Sequence, residues 1–201
     1  MKLRYSATSP YVRKVLMVAA ACGIADRVQR DPTDPWAADT TLGHDNPLGK
    51  VPALVLDDGS TLYDSPVICE YLDWAAGGGK AIPAPGPARW TALRRQALGD
   101  GICDAAILRR LEQTQRPAER RSDTWDARQK GHVTRALNAL EAEAGALGDG
   151  LDIGTISILV ALGYLDFRFA SEDWRQGRPA LAAWYAKAAA HPSFRDTAPP
   201  S

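Results

Sequence analysis

The sequence is poor in the residues that build metal centres and disulfide frameworks. Its 201 residues include three cysteines and three histidines. Cys22, Cys69 and Cys103 are odd in number and far apart, with no Cys-x-x-Cys pair. That excludes a disulfide scaffold and predicts reduced, buried thiols in a cytoplasmic protein. His44, His132 and His191 are scattered, so no metal-ligand spacing is present and no metal is expected. Net charge is also lacking, with 24 Lys plus Arg against 24 Asp plus Glu. A chain of zero formal charge is a poor partner for a phosphate backbone, so nucleic acid is not an expected ligand. No apolar run approaches the roughly 18 residues of a membrane span. Met1 to Tyr5 enters a strand-like pattern with no apolar signal region, and no membrane partner is expected. What remains is an ordinary globular composition, 45% apolar and 24% charged. The chain is long enough to bury a full core without staples.

The pattern changes part way along. Residues 1–77 alternate short strand-like runs (Lys2–Tyr5, Val28–Arg30, Ala53–Leu56, Thr61–Tyr63) with helical ones. Val12, Val15, Leu16 and Ala19 repeat at the spacing of one helix face, and Val67, Ile68, Tyr71, Leu72 and Ala75 do the same. Asp58-Gly59 marks a hairpin turn. Residues 35–44 suggest a short, irregular helix. Residues 78–87 carry a run of Gly and Pro that sustains neither a helix nor a strand, and read as a linker. Residues 88–201 read as all helix, over 88–113, 123–146, 153–169 and from Pro179 to about His191-Pro192. The segment 153–169 is apolar on most sides, which predicts a helix at the centre of its domain.

Three local features bear on chemistry. Ser9-Pro10 and Ser65-Pro66 each open a helix, with serine as a favoured cap and proline preorganised for the first turn. Such starts direct backbone N–H groups and positive dipole at a prospective anion. Taken alone, each pair reads first as a simple cap. Val51-Pro52 lies between them; a cis bond there would present the Val51 backbone to an extended peptide, whereas a trans proline would merely begin a strand.

The segments Ser6-Ala7-Thr8-Ser9-Pro10-Tyr11-Val12-Arg13-Lys14-Val15, Asn46-Pro47-Leu48-Gly49-Lys50-Val51-Pro52-Ala53-Leu54 and Leu62-Tyr63-Asp64-Ser65-Pro66-Val67-Ile68 resemble the cytosolic glutathione S-transferases. More narrowly, the chain is similar to the bacterial members with serine at the active position. The likeness continues through 97–102 and 161–168 into Phe194 and Pro199. It implies a thioredoxin-like domain over 1–77, with a mixed four-stranded sheet and three helices. An all-helical domain over 88–201 follows, forming the electrophile site. A cis Val51–Pro52 bond, a homodimer and a role in detoxification are also implied.

The resemblance assigns roles. Ser9 would donate its hydroxyl hydrogen bond to the glutathione sulfur and stabilise the thiolate, with Ser6, Thr8 and Tyr5 as alternative donors. Val51, followed by Pro52, would pair through its backbone with the cysteinyl part. Ser65 would bind the γ-glutamyl carboxylate, and Asp64 would approach the ammonium group. Lys50 would reach the glycine carboxylate unless it is a solvated lysine, and Trp36 would flank the site unless it packs. Tyr11, Ile102, Ala106 and Arg109 are placed beside a small hydrophobic electrophile by position only, while Tyr164 and Phe167 read as core. The arginine pairs 94–95, 109–110 and 120–121 read as solvated faces. Two other readings stand beside the transferase. A non-catalytic glutathione- or ligand-binding protein would share the fold. A glutaredoxin-like thiol–disulfide oxidoreductase would need a cysteine where Ser9 stands. One departure from the family is visible: Asp152-Ile153-Gly154-Thr155 opens the central helix without the reciprocal acidic partner of a capping box. A cap weaker by about 1 kcal/mol is expected.

Overall fold

The computed structural model describes residues 1–200. Four strands form one mixed sheet: β1 (Lys2–Tyr5), β2 (Gln29–Pro32), β3 (Ala53–Val55) and β4 (Thr61–Leu62). Their spatial order is β2-β1-β3-β4. β1 runs parallel to β2 and antiparallel to β3, and β3 runs antiparallel to β4. Helix α1 (Pro10–Ala21) makes the crossover between the parallel strands, and α3 (Ser65–Ala75) follows the hairpin and packs on α1. Between β2 and β3 the ambiguous segment is helical only over α2 (Leu42–Asp45). Pro35 and the polar run Asp39-Thr40-Thr41 leave it too little apolar periodicity for more. This is the thioredoxin-like arrangement followed by an all-helical half.

That second half comprises α4 (Pro87–Gln115), α5 (Asp123–Glu143), α6 (Ile153–Arg168), α7 (Pro179–Ala188) and α8 (Pro192–Asp196). α6 is buried along almost its whole length, from Ile153 to Leu165. It packs most extensively on α4, with backbones in close approach: a Cβ on Gly99 would lie 2.6 Å from the Ser157 carbonyl carbon. Its cap corrects the expected weakness. The Asp152 carboxylate accepts from the Thr155 amide at 2.8 Å, and the Thr155 hydroxyl accepts from the Asp152 amide at 2.9 Å. The capping box is complete with the two side-chain types exchanged. The last predicted helix, from Pro179 to about His191-Pro192, is α7, and a further short helix follows it. α7 stops at Ala188, and Pro192 starts α8 because its ring cannot continue a helix but suits a first turn. Among the described residues, no helix is long and apolar enough to cross a membrane.

The two halves are fastened by buried charge. Lys14 of α1, 1% exposed, donates to both carboxylate oxygens of Asp100 on α4 at 2.6 and 2.7 Å. Burial raises the Asp100 pKa, and Lys14 opposes the rise. Near the end of α3, Asp73 accepts from the amides of Gly79, Lys80, Ala81 and Ile82. The Ala81 carbonyl in turn accepts from the Ile153 amide at the start of α6 at 2.8 Å. Asp73 therefore links α3, the intervening segment and α6.

Candidate functional site

The strand register brings three segments to one end of the sheet. Arg4 pairs with Ala53, and Leu54 with Leu62. β1 ends at Tyr5, β3 begins at Ala53 and β4 ends at Leu62, all at this end of the sheet. The β1–α1 turn, the 46–52 loop and the start of α3 thus converge. These are the segments that hold Ser9, Val51 and Ser65.

Ser9 lies between β1 and α1. Its amide donates to the Ser6 carbonyl at 3.1 Å, closing the turn. Its hydroxyl oxygen accepts from the Val12 amide at 3.3 Å, capping α1 with Pro10 in the first turn. A serine hydroxyl has one donor and two acceptor lone pairs. The cap uses a lone pair, so the O–H stays free to donate. Ser9 is half-buried and lines two small cavities. Tyr5 and Ser6 share one, of about 50 Å³, and Thr8 shares the other. Neither cavity reaches Val51, Asp64 or Ser65.

The 46–52 loop is built around Asn46, whose role the sequence did not signal. Asn46 is buried; its carboxamide oxygen accepts from the Leu48 amide at 3.0 Å, and its Nδ2 donates to the Lys50 carbonyl at 2.7 Å. This pins the residue before Val51. The Val51–Pro52 peptide bond is cis. Val51 is half-buried, Pro52 is buried and Lys50 is exposed. Among the described residues, neither the N–H nor the carbonyl of Val51 has a backbone partner.

At α3 the cap is Asp64 and not Ser65, which is the first helical residue. The Asp64 side chain makes no capping bond and is exposed. Ser65 is buried at 3% exposure. The first-turn amides of a helix have no partner within it, so this start presents donors that its own cap leaves unfilled.

The expected electrophile-side residues sort differently. Ile102 and Ala106 are buried in the core and line no cavity at Ser9. Arg109 is neither solvated nor at the site. It is buried, pairs with Asp126 at 3.1 Å and Glu172 at 2.7 Å, and lies 4.5 Å from the centre of the Phe169 ring. It lines a separate cavity of about 340 Å³ with Lys130, Glu172 and Trp174. The Tyr11 phenol donates to Asp104. Burial, and then that bond, hold its pKa far above the usual phenol range, so it stays neutral. Tyr164, read as core, is in the buried core and Phe167 packs against it; both also line a Ser9 cavity with Pro10 and Pro199. Trp36 is 67% exposed and does not pack.

None of the three thiols is an activated nucleophile. All are free and buried. Burial, with Asp73 adding to it, pushes Cys22 up to about 11, and burial pushes Cys69 up to about 12. Burial raises Cys103 as well.

Known proteins share this fold. Residues 8–75 match the model of the glutathione S-transferase N-terminal domain, and residues 106–187 that of the C-terminal domain. The chain is 35% identical over 206 residues to YibF, an uncharacterized GST-like protein of Escherichia coli K12, covering 100% of this chain and 99% of that one. It is similar to a glutathione transferase family member from Pseudomonas fluorescens Pf-5, solved with bound glutathione (TM-score 0.94, 46% identity, 100% of this chain and 99% of that one). A glutathione S-transferase of Methylobacillus flagellatus, solved with glutathione bound, matches with a TM-score of 0.92 and 36% identity over 99% of each chain. With both domain models matched and a full-length relative above 30% identity, the chain belongs to the glutathione S-transferase family.

Proposed function

We propose that the protein is a glutathione transferase that activates the glutathione thiol at Ser9 and passes it to a small hydrophobic electrophile. The observation that carries this reading is the convergence of Ser9, Val51 and Ser65 at one end of the sheet, each with donors or acceptors left open. The bound glutathione in the Pseudomonas fluorescens relative supports it.

Glutathione is an extended tripeptide. Its cysteinyl backbone pairs with the Val51 N–H and carbonyl beside Pro52. Its γ-glutamyl carboxylate takes the Ser65 hydroxyl and the α3 amides, and Asp64 faces the ammonium group. Lys50 serves the glycine carboxylate. The sulfur then lies at the α1 start. A free thiol has a pKa near 8.5, so little is ionised at neutral pH. The Ser9 O–H donates to the thiolate, and the α1 dipole adds positive potential. Ser9 is neither nucleophile nor base; the thiolate attacks the acceptor. No low-pKa cysteine is present to run the oxidoreductase alternative.

In this reading, residues 1–77 bind glutathione, 88–201 supply the electrophile side and 78–87 join them. Trp74 on α3 and Trp90 on α4 are 71% and 70% exposed, on helices tied by the Glu70–Arg89 pair, which supports a homodimer through that face. The free, buried thiols support a reducing, cytoplasmic setting.

The test is glutathione binding by calorimetry together with initial rates against chlorodinitrobenzene and a panel of apolar electrophiles. Saturable binding and enzyme-dependent thioether formation are expected. Binding without turnover on any acceptor would favour the non-catalytic reading. Absence of binding would remove the roles of Val51 and Ser65.

A further inference from the structure

Arg13 stands four residues past Ser9 on α1 and is 8% exposed. Its neighbours are a carbonyl, a hydroxyl and an aromatic ring. Nη2 donates to the Phe194 carbonyl at 2.7 Å, and Nε donates to the Thr197 hydroxyl at 3.4 Å. The guanidinium carbon lies 3.7 Å from the centre of the Phe194 ring. Thr197 donates in turn to the Ser193 carbonyl at 2.7 Å, so residues 193–197 form one hydrogen-bonded unit. Gly163 of α6 makes the room: a Cβ there would come 2.7 Å from Phe194 Cζ and 2.8 Å from Arg13 Nη1.

A buried guanidinium is costly unless its donors are met, and an apolar residue would fill the same space at lower cost. What arginine adds is a planar fork that fixes direction. Here the fork is aimed at the segment that passes Ser9. Asp196, Thr197 and Ala198 line one Ser9 cavity, Pro199 lines the other, and Arg13 lines both.

We propose that Arg13 is a positioning residue that clamps segment 193–199 against the start of α1, so that this segment becomes the wall limiting the size of acceptor that reaches Ser9. The proposal deepens the transferase reading and takes its meaning from it, but its test needs no turnover.

The test places a reporter thiol with Ser9→Cys and compares alkylation by iodoacetamide with alkylation by fluorescein maleimide. The three native thiols are buried and supply the background, measured in the parent chain. Into this chain go Arg13→Lys, deletion of residues 197–201, and both together. Circular dichroism melts confirm folding, and the deletion serves if Arg13→Lys does not fold. Each change alone is expected to raise the bulky-to-small rate ratio by about fivefold or more, the factor that about 1 kcal/mol makes in an opening equilibrium. Because Arg13 acts through the segment, Arg13→Lys should add less than about twofold once 197–201 are gone. An unchanged ratio in the folded deletion variant overturns the wall, and a multiplicative double variant overturns the clamp. Absence of glutathione transfer by the native chain would refute the transferase reading and leave these ratios to decide the clamp.

Discussion

Asp73 should be one of the most costly carboxylates to neutralise. It is 5% exposed and makes four amide bonds: Oδ2 accepts from Gly79 at 2.8 Å, and Oδ1 accepts from Lys80, Ala81 and Ile82 at 2.9, 2.7 and 3.3 Å. In Asp73→Asn one oxygen survives, but its bonds become neutral ones. The new NH2 faces an amide donor and leaves it unfilled. A charged hydrogen bond contributes about 1.5–3 kcal/mol, a neutral one about 1, and an unfilled buried donor costs about 1–3, so a loss of about 3 kcal/mol is expected. At roughly 2–4 °C per kcal/mol for a chain of this size, Tm should fall by about 6–12 °C. The sign with pH follows from the direction of the shift. Burial raises the Asp73 pKa, but the four amides outweigh it, and the folded value is lowered. The stabilisation is therefore present above the unfolded carboxyl pKa of about 3.9 and is lost as pH falls through the lower folded value. Thermal melts of both proteins from neutral to acid pH should show a wide gap that narrows below about pH 4. Equal melts at neutral pH, or a gap that persists unchanged into acid, would refute the reasoning.

Other substitutions probe the site and its supports. Ser65→Ala should weaken glutathione binding by about tenfold, one hydrogen bond to a charged group, with little change in Tm; calorimetry reads both arms, and unchanged affinity would remove the carboxylate role. Gly99→Ala should lower stability by about 1–3 kcal/mol, because its Cβ would meet Ser157 backbone at 2.6 Å and neither helix yields easily. Denaturant titration should show a lower midpoint at constant slope. Asp152→Ala and Thr155→Val should each cost about 1 kcal/mol. Since the two residues complete one box, the double variant should cost less than the sum, and strict additivity would show that the exchanged box is not a unit.

The sheet half was largely legible in the sequence because its signals are local. Ser9-Pro10 announces a helix start within two residues, Asp58-Gly59 a hairpin, and the apolar spacing in 12–19 a buried face. The convergence of Ser9, Val51 and Ser65 then follows from a register that alternation and short turns determine. What was not legible depends on partners far along the chain. Arg109 looked like part of a solvated face, but its carboxylates come from Asp126 and Glu172, 17 and 63 residues away. Arg13 meets Phe194, 181 residues on. The long α4 contacts both α5 and α6, so it has no single apolar stripe. Its periodicity could not separate core Ile102 and Ala106 from exposed Trp90 and Leu108. Ser65 was one position off as a cap because Asp64, an equally good capping residue, precedes it.

The central claim is that Ser9 stabilises a glutathione thiolate. The most direct measurement is the ultraviolet thiolate absorbance of bound glutathione against pH, in the native chain and in Ser9→Ala. One hydrogen bond to a charged group contributes about 1.5–3 kcal/mol, and each pKa unit corresponds to about 1.4 kcal/mol. The account predicts a bound thiol well below its free value and a rise of about one to two units in Ser9→Ala, with glutathione affinity nearly intact. Equal thiol pKa values in the two proteins would contradict it, leaving Ser9 as the cap of α1 and moving the donor to Ser6, Thr8 or Tyr5.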